Sequence, residues 1–254
     1  MRLIFDLDGT ICFDGMTIAP CIREALLSAQ DNGHEIVFAS ARSYRDCLPV
    51  IGEKFAHNYV VALNGGLVYH QGQVKQAQTI QGAGYQFLIA HCHQYDTPYF
   101  VDNTFHYSYH RGDKMPFISF VDALNLAKRL PVEQLANPIK MVLYLGDHLE
   151  MKNDLLAQLA AYSELEVMYH EEEQCLYINP QGVTKASTLV DLFDEDYICF
   201  GNDKNDIDMF QHARYAIQIG DYAPLRPYAD EQLLIDDAID ERIARKIMAL
   251  LSVE

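Results

Sequence analysis

The sequence predicts an α/β protein, a parallel sheet flanked by helices, with an α+β block inserted into it. Three observations predict this. Apolar strand-like runs alternate with amphipathic helical runs over residues 1–81. That pattern breaks off between residues 82 and 182, and it resumes from Val183 onward. Strands separated by helices imply right-handed crossovers and parallel pairing.

The first apolar run, Leu3-Ile4-Phe5, ends in Asp6-Leu7-Asp8-Gly9-Thr10. Ala19–Asp31 carries Ile22, Ala25, Leu26 and Ala29 at helical spacing, and Asn32-Gly33 stops it, Gly being suited to the left-handed position past a helix end. Glu35–Ser40 is a second strand, a helix follows near Tyr44–Ile51, and Tyr59–Leu63 is a third apolar run closed by Asn64-Gly65-Gly66. Asp6, Ser40 and Asn64 thus fall at carboxyl ends of strands, where sheets of this kind bind ligands.

In the inserted block, Gly82 and Gly84 mark a linker. Pro98–Tyr109 reads as an aromatic-rich hairpin turning at Asp102-Asn103. A helix over Phe117–Leu130, a strand over Ile139–Leu145, a helix over Leu149–Ala161 and strands near Leu165–Tyr169 and Cys175–Asn179 follow, and Pro180-Gln181-Gly182 leads back. Thr184 then caps a helix running to Phe193. A strand over Tyr197–Phe200 ends at Gly201, Ile207–Ala213 is helical, Tyr215–Ile219 is a strand, and Glu241–Leu251 is a last amphipathic helix. The expected division is therefore one domain from residues 1–81 and 183–254, with residues 82–182 as a second.

Composition narrows the function classes. The 254 residues carry 36 acidic and 19 basic groups, a formal net charge of −17. A phosphate-backbone binder needs the opposite balance, so neither a nucleic acid nor an anionic membrane surface is expected as partner. No apolar run of about 18 residues exists to span a membrane. The charged strand at the start does not read as a signal peptide. Six scattered cysteines without CxxC spacing read as reduced thiols, which places the protein in the cytoplasm.

The chemistry begins with Asp6 and Asp8. A buried strand that delivers two carboxylates into a glycine turn suits a cleft beside a metal ion, because a lone buried carboxylate is costly. There Asp6 can attack phosphorus and Asp8 can manage the leaving-group proton. Ser40 offers a hydroxyl to a phosphoryl oxygen or simply caps the next helix. Lys185 stands at a helix start, where the dipole disfavours a cation, which suggests a role holding an anion. Gly201-Asn202-Asp203-Lys204-Asn205-Asp206 piles polar groups after an apolar strand and can complete the oxygen ligands of Mg²⁺. His91-Cys92-His93 are consecutive and diverge on a helix, so no zinc site is expected. Tyr95, Tyr99, Phe105, Tyr107 and Tyr109 are either packing or a sugar platform, with His106 and His110 on the other face.

Taken together, these segments resemble the haloacid dehalogenase superfamily of phosphohydrolases, in its Cof-type branch with a large α+β cap. Residues 6–10 match its first motif, Phe38 through Arg42 its second with Ser40 keeping the hydroxyl, and Asn64-Gly65-Gly66 its Asn-Gly-Ala segment. Gly182-Val183-Thr184-Lys185 resembles its lysine motif, Gly201 through Met209 its acidic motif, and Ala229-Asp230 a later Ala-Asp segment. The resemblance implies a Rossmann-like core and a Mg²⁺-dependent phosphatase acting on a small phosphorylated metabolite, a sugar phosphate first among them. It implies Asp6, Asp8 and Lys185 as catalytic, and Ser40, Ala41, Arg42, Asn64, Gly65, Lys185 and Asn205 as phosphate- or substrate-binding. Asp6, Asp8, Asn202 and Asp206 would hold the metal. One departure stands out: Asn202 occupies the place of a metal-binding acid, so Asp203 or Asp206 would carry more of the load. A phosphosugar mutase, or a phosphosugar-binding regulator with weak turnover, are the alternatives.

Overall fold

The computed structural model describes residues 1–194 and 196–251. In chain order these hold β1 (Arg2–Phe5), α1 (Pro20–Asp31), β2 (Glu35–Ala39), α2 (Tyr44–Ile51), β3 (Tyr59–Ala62), β4 (Leu67–His70) and β5 (Gln73–Ala77). Next come α3 (Ala83–Tyr95), β6 (Tyr99–Asp102), β7 (Tyr107–His110), β8 (Lys140–Tyr144), α4 (Lys152–Leu159), β9 (Leu165–His170) and β10 (Cys175–Pro180). The chain continues with α5 (Lys185–Phe193), β11 (Ile198–Gly201), α6 (Ile207–Gln211), β12 (Tyr215–Ile219), β13 (Glu231–Leu233) and α7 (Ile239–Leu250).

Two sheets result. The larger has the order β13-β12-β11-β1-β2-β3-β4-β5. Its pairs from β13 to β3 are parallel, and β4 and β5 add an antiparallel hairpin at one edge. β1 lies centrally, with Leu3, Ile4 and Phe5 fully buried. One face packs α1 and α7 through Ile22, Leu26, Ile243 and Ile247, and the other packs Leu189, Phe193, Met209 and Phe210 of α5 and α6. The β4–β5 hairpin was not legible, because β5 reads Gln-Val-Lys-Gln-Ala, almost wholly solvent-facing.

The smaller sheet, β7-β6-β8-β10-β9, is antiparallel and drawn entirely from residues 99–180. Side chains alternate across it. Tyr99, Val101, Met141, Leu143, Leu176 and Ile178 pack beneath α3 and α4. Phe100, Val142 and Cys175 face the opposite way, with Tyr107, Tyr109 and Tyr177 packed against them. The five aromatics grouped in the sequence reading therefore do not share a face, since Tyr99 pairs with His110 and Phe100 with Tyr109.

Two sequence expectations fail here. Phe117–Leu130 forms no α-helix but a short 3-10 turn at Ile118–Phe120 followed by a loop. Asp122 and Asn125 adopt left-handed backbone, and the Asp122 carboxylate accepts from the N–H groups of Leu126 and Ala127, a local turn that competes with helix. Gly84 is not linker but the second residue of α3, where a Cβ would lie 2.9 Å from that of Tyr162.

Contacts tie the inserted segment to the larger sheet. Arg45 Nη1 donates to Phe105 O at 3.0 Å, Tyr69 Oη to Thr104 O at 3.1 Å, and the Asp122 N–H to Asp46 Oδ1 at 2.7 Å. Ile139 joins the core formed around α1 and α2.

Candidate active site

Asp6 follows β1 directly, and its N–H donates to Phe200 O at 3.0 Å, which pins the strand end against β11. The residue is 5% exposed. Asp6 Oδ1 lies 2.6 Å from Lys185 Nζ, and Oδ2 accepts from Thr10 Oγ1 at 2.9 Å. Thr184 caps α5 in a reciprocal pair with Ser187, which starts the helix so that Lys185 enters the site from its first turn. Lys185 Nζ also donates to Asp206 Oδ1 at 2.9 Å. Asp206 is fully buried, and its Oδ2 accepts from the N–H groups of Asn202 at 2.9 Å and Asp203 at 3.2 Å. A Cβ on Gly201 would come within 2.7 Å of the Asp206 carboxyl carbon, so the strand end is glycine where that carboxylate lies against it.

Two carboxylates and one ammonium thus share a buried pocket. Burial pushes the Asp6 carboxyl up to about 7, Asp206 adds to this, and the ammonium of Lys185 opposes it. Burial disfavours the Lys185 ammonium, but the charges of Asp206 and Asp6 outweigh it and raise its pKa. The site therefore holds two carboxylates against one ammonium, one more acid than base.

Asp8 points elsewhere. Its half-exposed carboxylate is gripped by Arg42 through Nε at 2.8 Å and Nη2 at 2.5 Å, a bidentate fork. Arg42 Nη2 also donates to Gly15 O at 2.7 Å. Ser40 is buried, and its Oγ accepts from the Arg42 N–H at 3.1 Å. Ala41 O accepts from Lys140 Nζ of β8 at 3.2 Å. Asn64 adopts left-handed backbone with φ 55°, and its N–H donates to Ser40 O at 3.0 Å. Gly65, with φ 102°, rests on the Thr184 carbonyl so closely that a Cβ would collide with it, and Gly65 O accepts from Thr188 Oγ1 at 3.0 Å. Asn205 reaches Asn64 Oδ1 only at 3.5 Å.

The oxygen-rich end of β1 fits a divalent cation. Among the described residues no three or more His, Cys, Asp or Glu side chains form a metal cluster. The Asn202 carboxamide sits against Asp8 O, Asp6 Oδ2 and Thr10 Oγ1, 3.1 Å from each. Adjacent oxygen ligands of an octahedral Mg²⁺ at about 2.1 Å lie about 3.0 Å apart. With the amide turned over, its NH₂ donates to the same oxygens. Asp8 meets this group through its backbone carbonyl, not its carboxylate. Asp206 Oδ1 accepts from Lys185 and Oδ2 from two backbone N–H groups, just as the two Asp6 oxygens are engaged by Lys185 and Thr10. Thr10 belongs to the site and was passed over, although it stands inside the Asp6–Thr10 motif itself.

Beside this polar cluster lies a cavity of about 350 Å³ between the two sheets, with Asp8, Ala41, Arg42 and Ser43 on one side and Phe100, Phe117, Phe120, Val142, Lys140 and Tyr177 on the other.

Comparison with known proteins supplies the rest. The haloacid dehalogenase-like hydrolase family matches residues 3–226. The chain is 24% identical to an HMP-PP phosphatase of Serratia proteamaculans (strain 568), covering 87% of this chain and 84% of that protein. A haloacid dehalogenase-like hydrolase from Bacteroides thetaiotaomicron superposes with a TM-score of 0.82 at 20% identity, over 96% of this chain and 98% of the other. A HAD subclass IIB sugar phosphatase superposes with a TM-score of 0.76 at 20% identity, over 100% and 99% of the two chains. These superpositions establish the fold.

Proposed function

The chain belongs to the haloacid dehalogenase-like hydrolases, and from that premise we propose that it is a Mg²⁺-dependent phosphatase, cleaving a small phosphorylated metabolite through an aspartyl-phosphate at Asp6. The observation that carries this reading is the buried Asp6 carboxylate, held between Lys185 Nζ at 2.6 Å and Thr10 Oγ1 at 2.9 Å at the end of the central strand.

In the first step an Asp6 oxygen attacks phosphorus, the P–O bond to the leaving alcohol breaks, and Asp8 delivers its proton to the departing oxygen. In the second, Asp8 takes a proton from water, the water oxygen attacks phosphorus, and the bond to Asp6 breaks to release inorganic phosphate. Lys185 neutralises charge on the phosphoryl oxygens from a fixed position, which needs no reorganisation during reaction. Ser40, Ala41, Asn64 and Gly65 line the strand ends where those oxygens would sit. Arg42 must slacken its fork on Asp8 before that carboxyl can serve a leaving group, and an incoming phosphate is the natural competitor for the guanidinium. Asp206 positions Lys185 and ties down the Asn202–Asp203 turn. Asp6, the Asp8 carbonyl and the Asn202 amide oxygen would hold Mg²⁺, which when bound draws charge from the phosphoryl group as a Lewis acid.

Residues 82–182 act in this reading as a cap that covers the cavity and meets the leaving group. The six cysteines are free, which suits a reducing cytoplasm. The relatives named above act on HMP-PP and on sugar phosphates, so the substrate class at this level is a small phosphate ester.

The test is release of inorganic phosphate from a panel of phosphorylated metabolites across a Mg²⁺ titration. Turnover that needs Mg²⁺ and disappears in Asp6→Asn supports the proposal. A well-folded protein that releases no phosphate from any of the metabolites, or from acetyl phosphate, removes it.

A further inference from the structure

We infer that the cavity is shut by a clasp in which α2 grips the β6–β7 hairpin tip and the Asp122 loop, and that the two sheets part as units when this clasp breaks. How the cavity opens is independent of what it holds, so the inference goes beyond the phosphatase reading. The chain crosses between the two sheets twice, from β5 to α3 and from β10 to α5. In the first crossing the Ile80 N–H donates to Pro138 O, just before β8, so both crossings lie at the β8 and β10 ends. β6 lies beyond β8, two strands from β10, or roughly 10 Å at ordinary strand spacing. Two crossings alone leave a hinge, and a contact at the end of β6, set to one side of them, resists rotation about it.

Asn103 shapes the tip. Its Oδ1 accepts from the N–H groups of Phe105 at 2.9 Å and His106 at 2.7 Å, a local turn that fixes the backbone there. The Thr104 and Phe105 carbonyls then meet Tyr69 Oη and Arg45 Nη1. Arg45 Nη2 lies 2.8 Å from Asp102 Oδ1 and 3.1 Å from Asp46 Oδ2, and the guanidinium stands 4.6 Å from the Tyr107 ring centre. Asp46 Oδ2 also accepts from Ser43 Oγ at 2.6 Å, and its Oδ1 accepts from the Asp122 N–H at 2.7 Å. Adjacent residues of α2 thus hold two separate segments of the inserted block. Asp46 and Asp102 both line the cavity, so the clasp forms part of its wall.

The chemistry of the clasp suits a contact that opens. Arg45, Asp46 and Asp102 are all buried, and Arg45 Nε has no acceptor among the described residues. Charged groups give up hydration when they are enclosed, so a seam that stays shut is held as well or better by apolar packing. When this seam opens, water returns to the guanidinium and to both carboxylates. That rehydration offsets much of the loss of the ion pairs and hydrogen bonds. The contacts are directional and share residues, so they break together. The free energy of opening therefore lies well below that of unfolding the chain.

The experiment is native-state hydrogen exchange on the full chain, which needs no substrate and no turnover. In the parent, the Asp122 amide should exchange at least about a hundredfold faster than that of Ile4 in the central strand, the sign of an opening short of unfolding. Tyr69→Phe removes the bond to the Thr104 carbonyl and keeps the ring, which stacks on Tyr44 at 3.8 Å, so the variant should fold. Tyr69 Oη bonds the hairpin tip and not the Asp122 loop, yet its loss should speed Asp122 exchange about fivefold, as expected for one hydrogen bond broken in a shared opening. Arg45→Lys keeps the charge but not the fork, and should speed it about tenfold or more. Equal exchange at Asp122 and Ile4 would overturn the inference, because the seam would then open only on unfolding. A faster Asp122 amide that Tyr69→Phe leaves unmoved would overturn it too, because the loop would then fray alone. If Arg45→Lys does not fold, Tyr69→Phe decides by itself.

Discussion

The two faces of the cavity are built on opposite principles. On the larger sheet, the strand ends carry paired charges: Asp6 and Asp206 with Lys185, Asp8 with Arg42. On the smaller sheet, Phe100, Phe117 and Phe120 contribute rings to the facing surface, and its buried acid, Asp102, lies 2.8 Å from Arg45 Nη2. Parallel strands all point their carboxyl ends to one side, so loops distant in sequence can stack charge on one spot. An antiparallel sheet presents a broad face, suited to selecting shape. The comparison teaches that chemistry and selectivity are separable here, and substitutions on the two sides should fail in different ways.

The largest effect belongs to the charged side. Asp6→Asn should abolish phosphate release, because an amide cannot form the acyl phosphate. The same variant should be more heat-stable than the parent at pH 8 in chelator. The folded-state pKa of Asp6 is raised to about 7 from 3.8, so its contribution to stability is full below about pH 4 and lost as pH rises through 7. The gain in Tm should therefore shrink to nothing by about pH 4, and a gain independent of pH would show that Asp6 is not the strained group.

Asp8→Asn should lower kcat by roughly 10²–10⁴, with both half-reactions slowed. Rapid-quench measurement of phosphorylation and hydrolysis separates the two. An unaltered rate would return Asp8 to being only the anchor of Arg42.

At the seam between the regions, Arg45→Met should cost about 3–5 kcal/mol in urea unfolding, because Asp46 and Asp102 would be left as buried unpaired acids. Burial, the leading cause, already raises the Asp102 pKa, with Arg45 opposing it. The loss should therefore be smaller at pH 5 than at pH 8. A loss equal at both would mean that Arg45 acts by packing alone.

The smallest expected change is at Asn202. Asn202→Asp places a further negative charge 3.1 Å from Asp6 Oδ2 and Asp8 O. In chelator its Tm should fall, and added Mg²⁺ should raise Tm by more than in the parent, with half-saturation several-fold lower. If Asp203 is the working ligand instead, Asn202→Asp will leave the Mg²⁺ titration unmoved and Asp203→Asn will disrupt it.

Much of the larger sheet was legible in the sequence. α1 buries Ile22, Ala25, Leu26 and Ala29 on the face that their spacing indicates, and α5 begins at Lys185 behind the Thr184 cap. These are local matters, since a helix stripe or a cap is decided by residues within a few positions. The short β13 and the solvent-facing β5 were missed, because neither carries an apolar pattern. The Phe117–Leu130 segment has helix-like apolar content, but Asp122 turns the backbone and its N–H is held by Asp46 from across the molecule.

By itself, then, the sequence determined which residues end the parallel strands, and so which carboxylates, hydroxyl and lysine could meet. The tertiary structure alone decided the partners. Lys185 bridges Asp6 and Asp206, Arg42 holds Asp8, Asp206 is spent on backbone N–H groups, and Phe100 rather than Tyr99 faces the cavity. The physical reason is range. Strand, turn and cap preferences act over a few residues, whereas each of these pairings depends on which oxygen or ring lies within a few ångströms once two sheets have packed, across separations as large as 179 residues.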